Sequence, residues 1–237
     1  DDRLSPPRTD PPLRDLSNSH MVVLPTAYAP SVAYMSYLLD SSTRIEAHEY
    51  YQKQTYRNRC AIVGAEGVMK LSIPVLAGSS QQCPVQSVQI AEHDNWRHKH
   101  WYTIETCYGA SPYYEYYAPD LAPLYLDRER RSTSLYQHNQ RLIMRICQLI
   151  HLPYQWQETE QYVGTSAGVC SQILTPISTA STATEKAIAS VPYYQVFARS
   201  LGFVANLSIL DLLFNMGPES LLVLRQLHDQ LSGNSLR

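Results

Sequence analysis

The chain has 237 residues, 44% of them hydrophobic, and a formal net charge of −2. That length can bury a substantial core, as one large domain or as one domain with an appended lobe. The near-neutral charge excludes a global electrostatic footprint for nucleic acid or an anionic membrane, and no apolar run approaches the ~18 residues of a membrane-spanning helix.

Two compositional features narrow the reading. Tyrosine outnumbers the other aromatics, 18 against 3 Phe and 3 Trp, and a flat apolar body with a polar tip suits amphipathic clefts. The five cysteines, Cys60, Cys83, Cys107, Cys147 and Cys170, contain no C-x-x-C pair. An odd, dispersed set argues against a disulfide framework and against structural zinc, so no metal site is expected. A reducing, cytoplasmic setting suits such a chain, and its first residues lack the apolar core of a secretion signal.

In chain order, residues 1–20 hold Pro6, Pro7, Pro11 and Pro12 among polar residues and read as a flexible N-terminal extension. A single domain is expected over 21–230, followed by a tail at 231–237. Val22–Leu24 reads as a first strand, stopped by Pro25. Ser31 can cap a helix to about Asp40, which places the intervening loop at the carboxyl end of a strand, where α/β proteins often bind ligands.

The stretch HEYYQKQTYRNR, His48 to Arg59, packs eight hydrogen-bonding or charged residues around three tyrosines. It reads as one wall of a polar site, spanning the end of a strand at 44–52 and the start of another at 56–63. On that reading Arg57 and Arg59 share a face, ~6.6–6.8 Å apart along the strand. Two guanidinium groups at that spacing call for an anion between them, or for internal pairing with Glu46, Glu49 or Glu66. Both readings remain open at this point. Gln52 and Asn58 add orienting polar groups, and His48 a candidate general base.

Further strands are expected at 68–75 and 85–90. A helix over 96–109 puts Arg97, Trp101, Ile104 and Tyr108 on one stripe and Trp96, His100 and Cys107 on the next. His100 thus lies on or beside the buried face, where a core role and a catalytic role both fit. Ser111–Tyr125 looks too irregular for one long helix. An amphipathic helix fits 135–152, and a Ser/Thr/Ala-rich segment near 164–190 reads as a mobile loop. Helices are expected at 207–216 and 218–230, divided at Gly217. On the first, Ser208, Asp211 and Asn215 form a narrow polar stripe facing a solvent window or a cavity. The expected fold is α/β or α+β: a mixed β-sheet from the N-terminal half covered by helices from the C-terminal half.

The phrases PTAYAPSVAYMSYLL, HEYYQKQTYRNRC, LSIPV, WRHKHWYTIETCYGASPYYEYY, PYYQVF and NLSILDLLFNMGPES occur in this order. Together they resemble the WbqC-like protein family, in particular its Bacteroidetes-type branch, from Val22 to about Leu224. The resemblance implies a bacterial cytoplasmic protein linked to O-antigen and surface-polysaccharide biosynthesis. It carries His48, Gln52, Arg57, Asn58, Arg59, Trp96, His100, Trp101, Asp211 and Asn215 as the matching site positions. One stretch departs from the family's pattern: Val169–Ser178, VCSQILTPIS, lacks an Asp and an Arg found there in relatives.

Known catalytic signatures are missing: there is no G-x-S-x-G elbow, Walker motif, Rossmann fingerprint or H-E-x-x-H. Cys60 and Cys107 are weak candidate nucleophiles. Two functions follow. The first is a transferase-type enzyme of surface-glycan or nucleotide-sugar modification, with His48 or His100 as base. The second is a non-catalytic ligand-binding or assembly protein using the same cleft. Either would take an anionic or polar small molecule, such as a nucleotide sugar, phosphate or carboxylate, and no nucleic acid. The sequence leaves the cofactor unknown.

Overall fold

The computed structural model describes residues 21–76, 83–163 and 182–234. The expected extension at 1–20, most of the 164–190 loop, including Val169–Ser178, and the last three residues of the tail lie outside them. The architecture is mixed α/β, with small sheets from the N-terminal half and helices mostly in the C-terminal half. Among the described residues the strands form two separate two-stranded sheets rather than one.

The first sheet arises from a strand–helix–strand unit. β1 (Val23–Pro25) and β2 (Arg44–Glu46) pair in parallel, Val23 opposite Arg44 and Pro25 opposite Glu46. Between them runs α1 (Val32–Tyr37), capped by Ser31, whose side chain accepts from the Tyr34 amide. All six α1 residues are buried, as is usual for the crossover element of a parallel pair. The second sheet is a hairpin, β3 (Arg59–Gly64) against β4 (Gly67–Ser72), closed by Ala65 and Glu66. Gly67 takes φ of 118° at that turn, a backbone that other residues rarely adopt.

The strand expected at 44–52 ends at Glu46. A Glu46 carboxylate oxygen accepts from the His48 amide at 2.8 Å, and this local side-chain bond turns the chain out of the ladder. Residues 47–58 are therefore loop rather than the wall of a sheet. Val85–Ser87 forms a single 3-10 turn, and 88–90 contributes only isolated bridges, Gln89 with Ser134 and Ile90 with Val75.

The helices are α2 (Trp96–Tyr108), α3 (Tyr114–Leu126), α4 (Leu135–Leu149), α5 (Thr182–Ala189), α6 (Ala198–Leu201), α7 (Ile209–Met216) and α8 (Ser220–Asn234). α3 corrects the irregular reading of 111–125. It accommodates Pro119 and Pro123 because Tyr114, Tyr117, Leu121 and Tyr125 repeat at helical spacing and are buried. Burial of those four side chains, each worth ~1.5–3 kcal/mol, offsets the ~3 kcal/mol cost of each of the two interior prolines. α5 occupies part of the segment read as a loop, and α8 continues past 230 to Asn234.

α7 sits at the centre, every residue buried except Met216. It ends where Gly217 adopts φ of 53°. A Cβ there would lie 2.5 Å from the Tyr113 ring, so both conformation and space demand glycine. Gly217→Ala is expected to cost at least ~1–3 kcal/mol of stability from backbone strain, measurable as a lowered urea midpoint with unchanged m.

Candidate functional site

The loop Thr26–Ser31, at the carboxyl end of β1, organises the polar interior. Pro25, Ala29 and Pro30 supply carbonyls to the Tyr34 hydroxyl, the Ser208 hydroxyl and the Ile209 amide, at 2.8, 2.7 and 2.7 Å. Thr26 Oγ1 accepts from Asn139 and Gln140 of α4. The Tyr28 amide donates to Tyr56 O at 3.0 Å. Its hydroxyl lies 2.9 Å from His100 Nδ1 and 3.0 Å from the Tyr125 hydroxyl.

His100, from α2, is a core residue, 6% exposed. Its ring stacks on Tyr28 and meets Trp96 edge-on. Burial pushes its pKa down to about 4, against a partial offset from a hydrogen bond with the Ser72 backbone. His138 of α4 closes the cluster against Tyr28, Trp96 and Tyr125, and burial takes it to about 3. Trp101 packs on Tyr114 and Tyr125 in the same core.

The two arginines of the polar block have different fates. Arg57 is buried and makes a forked bond to Glu49, Nε to Oε1 at 2.8 Å and Nη2 to Oε2 at 2.5 Å. Internal pairing therefore wins for Arg57, with Glu49 as the partner. Burial raises the Glu49 pKa, and Arg57 counters only part of that rise. Asn58 is tied to Ile73 O at 2.8 Å. His48 is exposed, its Nε2 2.9 Å from Thr159 O, and Gln52 is exposed on the loop.

Arg59 differs. It opens β3, is half-buried, and makes no ion pair among the described residues; its buried Nε has no partner. It lines a recess with Ser31, Tyr56, Cys60, Asn206 and Ser208, and Tyr28, Ala29 and Pro30 form another wall. The recess has room for about one water molecule.

Of the Ser208–Asp211–Asn215 stripe, Ser208 lines the recess and donates to Ala29 O, whereas Asp211 and Asn215 are buried beneath residues 193–204. Asp211 accepts from Tyr193 at 2.7 Å and Gln195 at 2.9 Å, while Asn215 accepts from the Val196 amide at 3.2 Å. Burial lifts Asp211 to about 6, partly offset by these donors and Tyr108. The expected site residues thus divide among separate places: His48 beside Thr159, Arg57 with Glu49, His100 and Trp101 in the aromatic core, Asp211 with Asn215 under the 193–204 segment, and Arg59 at the recess.

Sequence reading missed His138, Tyr125 and the hub role of Tyr28. His138 stands three residues after Leu135 and four before Leu142, so helical spacing alone places it on the buried face of α4. Among the described residues, Cys60, Cys83, Cys107 and Cys147 are free thiols. Burial raises the pKa of both Cys60 and Cys107, which keeps them protonated and poor nucleophiles. No group of three or more His, Cys, Asp or Glu among the described residues could hold a metal ion, and no described helix is long and apolar enough to cross a membrane.

Two stability predictions follow from these placements. Glu49→Gln strands the Arg57 charge and is expected to cost ~3–5 kcal/mol in urea unfolding, with much of it recovered in the double variant Glu49→Gln/Arg57→Met. The histidines set an acid limb. With folded pKa values of about 4 and about 3 and unfolded values of ~6.5, the unfolded state binds more protons between those limits. Their stabilisation is complete above ~pH 6.5 and is lost as pH falls through the folded values. Asp211, raised to about 6, acts with opposite sign, favouring the fold at lower pH and losing that advantage as pH rises to 6. His138→Phe is therefore expected to flatten the acid limb by up to ~1.4 kcal/mol per pH unit, and Asp211→Asn to steepen it, in unfolding curves taken from pH 4 to 7.

Comparison with known proteins adds context to this geometry. The WbqC-like protein family matches residues 26–188, a span that includes the Tyr28 loop, Arg59, His100 and His138 and ends before Asp211. The chain is also similar to "Uncharacterized protein Rv1507c" of Mycobacterium tuberculosis (strain ATCC 25618 / H37Rv), 27% identical over 194 residues, covering 72% of this chain and 81% of that protein. No solved structure matches it. On the extent of the family match, the chain belongs to the WbqC-like protein family.

Proposed function

We propose that this protein is a cytoplasmic ligand-binding or assembly protein that holds an anionic small molecule at the Arg59 recess, in the service of bacterial surface-glycan or O-antigen assembly. One observation carries the reading: Arg59 is a half-buried guanidinium with an unpartnered Nε, lining a recess, and without a carboxylate partner among the described residues. An arginine so placed gains most from an oxyanion, which it can meet through several N–H donors. The glycan connection rests on family resemblance. Phosphates, carboxylates and nucleotide sugars are the ligand classes; the net charge of −2 gives nucleic acid no attraction.

A transferase-type enzyme is the second reading. It would use His100, which Tyr28 links to the recess, although the burial that lowers its pKa to about 4 also makes it a weak base at pH 7. Against it, the Tyr28 hydroxyl and His100 are already bonded to each other within the core.

Calorimetric titration with inorganic phosphate, a sugar phosphate and a nucleotide sugar tests both readings. Arg59→Ala is expected to weaken binding by about 10- to 150-fold, the range for losing a hydrogen bond to a charged group. Unchanged binding in Arg59→Ala would sink the anion-site reading. Turnover of a nucleotide sugar that disappears in His100→Ala or His48→Ala, in a folded protein, would make the enzyme reading the correct one.

A further inference from the structure

Residues 193–204 close on themselves before they close on the rest of the fold. The Gln195 side chain donates through Nε2 to Val204 O at 2.8 Å and accepts through Oε1 from Val204 N at 2.9 Å, as a strand partner would. Tyr193 meets Phe203 edge-on, with ring centroids 5.3 Å apart. Between these crosslinks the chain forms α6 and then turns at Gly202, φ 73°. No residue of α6 is buried, and Tyr194 and Leu201 are exposed. A surface segment with paired ends, packed by its own side chains, has the form of an Ω-loop.

The loop hangs between two fixed posts. Upstream, α5 packs on α8 and buries Ala187 and Ile188. Downstream, Asn206 Oδ1 accepts from Ala33 N, Leu207 O from Val32 N, and Ser208 and Ile209 donate their amides to Ala61 O and Pro30 O. Between the posts, the hydrogen bonds from the loop to other described residues all end on two side chains of α7. The Tyr193 hydroxyl and Gln195 Nε2 donate to Asp211 Oδ2 at 2.7 and 2.9 Å, and Val196 N donates to Asn215 Oδ1 at 3.2 Å.

Asp211 is wholly buried. The groups that act on it are Tyr193 and Gln195 of the loop and Tyr108 of α2, all neutral donors, while Cys107 of α2 feels its charge. α1, α3, α8 and β3 also pack on α7, and no titratable or charged group of theirs among the described residues shifts Asp211. A buried carboxylate without a cation is penalised when ionised, and water relieves it only if its cover lifts.

We infer that residues 193–204 are a hinged loop latched by Asp211: proton uptake at the carboxylate tightens the loop on α7, ionisation loosens it, and the loop moves as one body. Closed, Asp211 keeps its proton up to about pH 6; beneath an open loop it meets water and titrates near ~3.9. The closed state therefore binds more protons between those values. Its advantage is full below ~pH 3.9 and is lost as pH rises to about 6. Opening uncovers Asp211 and Asn215, while the bonds of Leu207, Ser208 and Ile209 keep the recess wall in place. The latch thus stands apart from anion binding at Arg59.

The test is amide hydrogen exchange on the full chain from pH 4 to 7, each rate divided by its intrinsic value to give a local opening constant. At Val196 the constant is expected to rise by up to ~10-fold per pH unit and to level off above about pH 6. Val204, bonded to Gln195 inside the loop, and Ile209, bonded to Pro30 at the downstream post, are not expected to follow it. Asp211→Asn is expected to flatten the Val196 profile. Tyr193→Phe keeps the ring beside Phe203 and removes a donor that holds the Asp211 pKa down, so it is expected to move the rise to higher pH. That second arm remains if Asp211→Asn does not fold. The latch is overturned if Val196 opening is flat across the range in the wild type, if the rise survives Asp211→Asn, or if Tyr193→Phe leaves it unmoved. A matching rise at Ile209 would make the opening global, and the latch falls; a matching rise at Val204 would mean that the loop unravels, and its motion as one body falls.

Discussion

The structure depends on satisfying the backbone and hydroxyls of a six-residue loop buried in its middle. Thr26 to Pro30 are wholly or almost wholly removed from water, where each unpaired polar group would cost roughly 1–3 kcal/mol. The partners come from every part of the fold: Tyr56 before β3, His100 on α2, Tyr125 on α3, Asn139 and Gln140 on α4, Ser208 and Ile209 at α7. With so little β-structure, two pairs of strands in two separate sheets, this loop does the joining that a larger sheet does elsewhere.

The buried charges follow the same logic. Arg57 with Glu49 is a buried forked pair, the buried Arg97 forks to the exposed Glu92, and Asp211 is ringed by hydroxyl and amide donors. A fully formed pair roughly breaks even against apolar packing, whereas a broken one is costly. These groups therefore specify one arrangement more than they stabilise it. The histidines differ in kind: His100 and His138 are buried neutral, so acid weakens the fold through them. Arg59 differs from these arginines in having no carboxylate partner among the described residues, and its buried Nε has no partner there either.

How much was legible varies with the range of the interactions. α4 and α7 are plain in the chain because a 3.6-residue apolar repeat needs no partner to be recognised. The strand–loop–helix opening is legible for the same reason, with Pro25 and Ser31 as punctuation. α3 was hidden because its prolines speak locally against a helix, while the burial of Tyr114, Tyr117, Leu121 and Tyr125 that overrides them is supplied by other elements. The HEYYQKQTYRNR block looked like one site because its polar residues are adjacent in sequence. In space its side chains point in different directions, since a loop lacks the fixed alternation of a strand.

The sequence by itself determined the fold class, the family resemblance, the main helices, among them Trp96–Tyr108, and the glycine that ends α7. Only the tertiary structure decided which arginine is a structural ion and which faces a recess, that His100 is held neutral by Tyr28 and its aromatic neighbours, and that 193–204 closes over Asp211. The physical reason is that propensity, periodicity and capping act over a few residues and can be read along the chain. Charge pairing, desolvation and the closure of a pocket depend on groups as far apart in sequence as Ala29 and Ser208, which only the folded chain brings together.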